Sequence, residues 1–168
     1  MKFLQSLIKS FFYAGRGLWF AIKNERNFRI ELTAIFYVLV FALFYGTEGY
    51  ETAILLLTCA LVPALELINT AIENAVNAKT SEQTPYAKIA KDTAAAAVLF
   101  AATASVIIAF FVFSNEAKLA YAFRTIFTPP WVIILALTVV PAVLFIRLEP
   151  QKKENKTKKA AKPNTEQK

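Results

Sequence analysis

The chain has 168 residues, 57% of them apolar, with fifteen phenylalanines, a net charge of +7 and a mean hydropathy of +0.45. Arranged in long uncharged blocks, that composition indicates an integral membrane protein and not a water-soluble domain. With no histidine and one cysteine, a His-ligated metal, a Cys-x-x-Cys site, an internal disulfide and a Ser-His-Asp triad are excluded.

Residues 3–22 put Phe3, Leu4, Leu7, Ile8, Phe11, Phe12, Leu18 and Trp19 on one helical face and Lys9, Tyr13, Arg16 and Lys23 on the other. This pattern predicts an amphipathic helix lying in the membrane interface. Lys9 and Arg16 interrupt any hydrophobic region, and no small-residue cleavage site follows, which argues against a signal peptide. The charged segment KNERNFRIE (23–31) then leads into a first span, Ile30 to Tyr45; Glu25 and Arg29 are four apart, the spacing of a helical ion pair. After the acidic turn GTEGYE, a second span begins near Thr52 and contains Pro63 and Cys59, the latter read as a small buried hydrophobe. AKTSEQT (78–84) reads as a loop, with Thr84 as N-cap and Pro85 as the first position of a third helix. That helix enters the membrane through TAAAA, small residues that let helices approach closely.

The segment 114–130 is an interfacial connector, Trp131 to about Ile146 a short extra span, and the Lys-rich tail 151–168 is expected to be disordered. The expected architecture is therefore all-α and membrane-embedded: a surface helix and entry segment (1–29), a three-span core (30–113), the connector, a fourth transmembrane helix (131–147) and a basic tail (148–168). Lys and Arg number 17 on one side of this topology and 2 on the other. The positive-inside rule therefore puts both termini and the 78–91 loop in the cytoplasm.

One polar stripe demands a function. Glu66, Asn69, Glu73 and Asn77 are three, four and four apart and share one helical face at the end of the second span. The topology brings Glu25, Lys91 and Asp92 to the same boundary. Glu25 and Glu73 are hard oxygen ligands suited to Mg²⁺ beside phosphate, Lys91 is a partner for phosphate charge, and Glu66, deepest in the apolar span, is a candidate general base for a lipid hydroxyl. The chemistry this favours is phosphoryl transfer from Mg-ATP to a lipid. Taken alone, such stripes equally join helices or line an ion path, so residue chemistry leaves a small transporter or a non-catalytic scaffold open.

ELINTAIENAVN (66–77) followed by AKIAKDTAAAAV (87–98), with RGLWFAIKNERNFRIE (16–31) upstream, resembles the signature of the small prokaryotic diacylglycerol kinase and undecaprenol kinase family. The resemblance runs from residue 3 to about 113. It implies a three-span kinase, a homotrimer with active sites at subunit interfaces, in a bacterial plasma membrane. Mg²⁺ and ATP are its implied cofactors, a diacylglycerol or undecaprenol its acceptor, and no nucleic acid its partner. By resemblance Glu66 is the catalytic base, and Glu25 and Glu73 are the metal-associated acids. Tyr13, Glu82, Gln83, Thr84, Lys91 and Asp92 fall with them at the nucleotide. Asn27, Phe28, Arg29, Ile30, Glu31 and Ala95 fall near the lipid, and Asn69 and Asn77 support the site. Two positions depart from the family pattern: Asn77 replaces a usual Asp and Thr84 a frequent His, each removing a titratable group. The tail lies outside the resemblance. Its lysines suit anionic lipid, at about 1 kcal/mol per basic residue near the surface, or serve solubility alone.

Overall fold

A computed structural model describes residues 2–79 and 84–148. These form six helices: α1 (Lys2–Asn24), α2 (Arg26–Tyr45), α3 (Gly49–Lys79), α4 (Pro85–Val112), α5 (Glu116–Ile126) and α6 (Trp131–Ile146). No strand occurs among the described residues. The expected all-α membrane architecture is thus present, and α2, α3 and α4 are each long and apolar enough to cross a bilayer.

Local sequence explains most boundaries. Glu25, extended at φ −104° and ψ 112°, is the single residue separating α1 from α2. Gly46 ends α2 at φ 71°, the left-handed conformation that glycine adopts without steric penalty. Thr84 caps α4 as its sequence predicts, its hydroxyl accepting from the Ala87 N–H at 3.2 Å, with Pro85 next. Asn115 caps α5 in the same way. One boundary moves: α3 persists through Ala78 and Lys79, which sequence patterning puts in the loop. Alanine is the best helix former, and a lysine in the last turn complements the helix dipole. Ser81, Glu82 and Gln83, like the basic tail, lie outside the described residues.

The spans assemble unevenly. α3 and α4 form the most extensive helix pair, and α2 packs against α3, α5 and α6. Within TAAAA only Ala94 is buried. Seven residues on, Ala101 is buried on the same face, so close approach uses two alanines and leaves the others outward. At one end of the bundle the Tyr45 hydroxyl accepts the Asn115 N–H at 2.9 Å, and Lys118 reaches Glu48 at 3.0 Å and Glu51 at 3.7 Å. These contacts fasten α5 to the α2–α3 turn.

The expected fourth span takes a particular form. α6 has 16 residues, about 24 Å at the α-helical rise, and qualifies as a span by length only when joined to α5, from which it bends by 80°. Trp131 packs edge-on against Phe44 near the end of α2, the Thr138 and Tyr37 hydroxyls hydrogen-bond at 3.0 Å midway, and the Ile146 carbonyl meets Arg29 near the start of α2. α6 therefore runs antiparallel along α2, returning the chain to the side where α2 begins. α1 behaves as its amphipathic pattern requires: Phe3, Leu4, Ile8, Phe11, Phe12 and Trp19 are exposed, and only Ala21 near its end is buried.

Because Ala101 sits in the α3–α4 interface with 5% of its surface exposed, Ala101→Leu overpacks that interface. The expected loss is about 1–3 kcal/mol, read as a lowered melting temperature in detergent; an unchanged value would show that α3 and α4 are not tightly apposed there.

Candidate active site

The polar stripe of α3 faces the start of α2 and the first turns of α4. Glu66 is buried, with 3% of its surface exposed. The Asn69 amide donates to its Oε2 at 3.5 Å, one helical turn along, and the Asn27 side chain, from α2, lies within hydrogen-bonding reach of the same carboxylate. Glu25 and Glu73 both stand within Coulombic range of Glu66. Three acids from the α1–α2 junction and α3 thus converge, as their spacing and the topology predict.

Glu66 opens onto a pocket of about 300 Å³ lined by Asn27, Ile30, Glu31, Asn69, Ala95, Val98, Leu99 and Ala102. Five residues that the family resemblance assigns to the lipid or to site shape (Asn27, Ile30, Glu31, Asn69, Ala95) therefore share one cavity with Glu66. Glu31 Oε2 and Asn69 Oδ1 are buried there and have no hydrogen-bond partner among the described residues. A cavity whose wall carries a carboxylate and two further acceptor oxygens suits a ligand that brings hydrogen-bond donors, such as an alcohol. Ile30, Glu31 and Ala102 also line a second, apolar hollow of about 240 Å³, which continues between α2 and α4 past Val38, Leu55, Val62 and Val106. A polar head and an apolar tail can occupy the two together.

The remaining assigned residues distribute more widely. Lys91 donates to Asn77 Oδ1 at 2.7 Å, linking α4 to the last member of the stripe; Asp92 is exposed beside it. Thr84 caps α4, so its hydroxyl has a structural partner. Tyr13 is exposed on α1, where its ring meets Phe12. Glu82 and Gln83 lie outside the described residues. Phe28 and Arg29 are each only 1% exposed and face into the protein, away from the pocket lined by their neighbours Asn27, Ile30 and Glu31. The Arg29 guanidinium bonds the carbonyls of Ile22, Lys23, Ile146 and Leu148. Sequence reasoning missed Val98 and Ala102 as lining residues, although they follow Ala95 by three and seven, a helical face that was there to be read. A further hollow, about 590 Å³ between α2 and α6, is lined by apolar side chains and hydroxyls with no ionisable acid or base besides Tyr37. It has no acid–base chemistry to offer.

No group of three His, Cys, Asp or Glu residues close enough to hold a metal occurs among the described residues. Mg²⁺ takes one or two carboxylates and completes its shell with water and substrate phosphate. Glu25 and Glu73 fit such a role.

The sequence matches the family described as prokaryotic diacylglycerol kinase over residues 12–113. The chain belongs to that family. It is 40% identical over 110 residues to an undecaprenol kinase of Bacillus subtilis, an alignment covering 66% of this chain and 89% of that one. A diacylglycerol kinase of Synechocystis is 43% identical over 104 residues, covering 61% of this chain and 59% of the other. A diacylglycerol kinase of Escherichia coli is 35% identical over 101 residues, covering 60% and 83%. No solved structure matches the chain. α5 and α6 both lie beyond the region matched by the family.

The Asn77–Lys91 contact is exposed. Asn77→Asp, restoring the acid usual in the family, converts it into a surface ion pair. Stability should change by no more than about 1 kcal/mol, with the change suppressed by high salt; a larger, salt-independent shift in detergent melting would mean that Asn77 has a different role.

Proposed function

We propose that this family member phosphorylates a membrane lipid alcohol, undecaprenol or diacylglycerol, from ATP, with Glu66 as general base. The observation that carries the reading is a buried carboxylate, hydrogen-bonded by the Asn69 amide, at a pocket that shares Ile30, Glu31 and Ala102 with an apolar groove. A lipid hydroxyl entering that pocket meets Glu66, while its hydrocarbon lies between α2 and α4. Glu66 accepts the hydroxyl proton as the alcohol oxygen bonds to the γ-phosphorus of ATP. The bond from that phosphorus to the β–γ bridging oxygen breaks, and ADP leaves. Asn69 holds the Glu66 carboxylate in place, with Asn27 beside it at the pocket.

Glu25 and Glu73 would hold Mg²⁺, which when bound offsets the negative charge of the transferring phosphate. Lys91 and Asp92, with Tyr13, Glu82, Gln83 and Thr84, are proposed at the nucleotide. Tyr13 is exposed on α1 of its own chain, which favours a site completed between subunits of a homotrimer. The distribution of Lys and Arg, 17 against 2, supports a site on the cytoplasmic side of the plasma membrane, with both termini there. Residues 30–113 are proposed as the catalytic core. The undecaprenol-type relative, matched over 89% of its length, slightly favours undecaprenol as acceptor.

The test is transfer from labelled ATP, with Mg²⁺, to each lipid alcohol in mixed micelles. Phosphate should appear on one of the two alcohols in preference to the other; an intact protein that phosphorylates neither would sink the reading. Glu66→Gln should lower kcat by about 10²–10⁴-fold while assembly stays intact. Glu73→Gln should instead raise the Mg²⁺ concentration needed for half-maximal rate, and a variant with unaltered Mg²⁺ dependence would remove Glu73 from the metal.

A further inference from the structure

Arg29 is buried at the end of the bundle that carries the site, and all of its donors are used. Nε donates to the Ile146 carbonyl at 3.4 Å, Nη1 to those of Ile22 and Lys23 at 3.0 and 3.2 Å, and Nη2 to those of Ile146 and Leu148 at 3.4 and 2.7 Å. Ile22 and Lys23 belong to the last turn of α1, and Ile146 and Leu148 to the end of α6 and the chain just beyond it. One planar cation therefore binds the C-terminal carbonyls of two helices, where backbone acceptors lack intrahelical partners and the dipole favours positive charge. The same residue brackets Glu25. Its own N–H bonds the Glu25 carbonyl at 3.4 Å, while its side chain reaches back across Glu25 to α1. Asn27, two residues away on the same turn, lines the Glu66 pocket.

We propose that Arg29 is a positioning residue: by tying the C-terminal ends of α1 and α6 together it holds the one-residue elbow at Glu25, and so makes α6, a helix outside the family-matched region, part of the machinery that orients Glu25. The proposal builds on the kinase reading above. Arg29 then acts without touching the lipid, contrary to what its neighbours in sequence suggest. A lysine keeps the charge but cannot span four carbonyls, because its three donors diverge from one point.

In the full chain, Arg29→Lys should raise the KM for Mg-ATP by about tenfold, the scale of one lost charge-assisted hydrogen bond, with kcat and the lipid KM changed less than about twofold. In a Cys59→Ala background, Lys23→Cys and Leu148→Cys joined by a short bismaleimide should return the KM of Arg29→Lys to the parent value. A rise in lipid KM that the cross-link fails to reverse would overturn the proposal and make Arg29 a substrate contact. Thr138→Val with Phe145→Ala loosens α6 along α2 while leaving Arg29 intact. It should raise the same KM, and an unchanged value would also overturn the proposal. Spin labels at Phe20→Cys and Arg147→Cys read the clamp without any activity: Arg29→Lys should broaden their distance distribution, and an identical distribution would refute the clamp. A parent protein that transfers phosphate to no lipid would overturn the kinase reading, and the spin-label distances would still decide whether the clamp exists.

Discussion

The constraint on which this structure depends is the need to satisfy polar groups where water is scarce. Several hydroxyls in the spans meet it locally. Thr33, Thr58, Thr103 and Ser105 each donate to a carbonyl three or four residues earlier in their own helix, so they ask nothing of their neighbours. Glu66 has no such local carbonyl solution, because a carboxylate needs donors. It obtains one from Asn69 on its own helix, and Asn27 of another helix lines the same pocket. The requirement ties the start of α2 to the middle of α3, and the pocket is the space left between them and α4. An ionisable group at that depth persists only where surrounding groups hold it. Glu31 Oε2 and Asn69 Oδ1 leave that satisfaction incomplete in the protein alone, which is the condition under which a donor-bearing ligand binds.

The opposite imbalance arises at the helix ends. α1 and α6 both finish near the beginning of α2, and each leaves carbonyls without intrahelical partners. A guanidinium carries five donors in a fixed plane, and Arg29 distributes them over four such carbonyls. Burying that charge is tolerable because the donors are matched and two helix dipoles point their negative ends toward it. The acid-rich pocket and the carbonyl-rich clamp lie on different faces of the same turn of α2. Asn27, Ile30 and Glu31 look toward Glu66, and Phe28 and Arg29 look inward toward the other helices.

That division explains what could and could not be read from the sequence. Hydropathy and capping chemistry predicted the helices closely: Thr84 and Pro85 start α4, Trp131 and Ile146 bound α6, and the stripe Glu66–Asn69–Glu73 needed only the helical period. Such features depend on residues three to seven apart. The treatment of residues 27–31 as one lipid-contacting segment overlooked that five successive helical residues cannot share a face. The four-residue spacing of Glu25 and Arg29 suggested an ion pair. The guanidinium instead serves carbonyls, two of them 117 and 119 residues away. Backbone acceptors are the same in every residue, so no side-chain pattern advertised them. α6 drew attention as an extra span and not as a partner, because its last turn is apolar and what it gives Arg29 is entirely main chain.

A helix added through side-chain contacts alone would need complementary substitutions on both surfaces. α6 engages α2 by few specific groups: Trp131 against Phe44, Thr138 against Tyr37, and carbonyls against Arg29. Only the first two need chosen residues on α6. The third needs nothing except that a helix end there, since every helix C-terminus presents unsatisfied carbonyls. A buried arginine at the base of α2 is thus a ready receptor for any C-terminal helix that returns antiparallel to it. The bend of 80° between α5 and α6, with α5 fastened by Tyr45 and Lys118, turns the chain into that path. Coupling between the added helix and Glu25 then follows from geometry, because the same guanidinium already holds the elbow on which Glu25 stands.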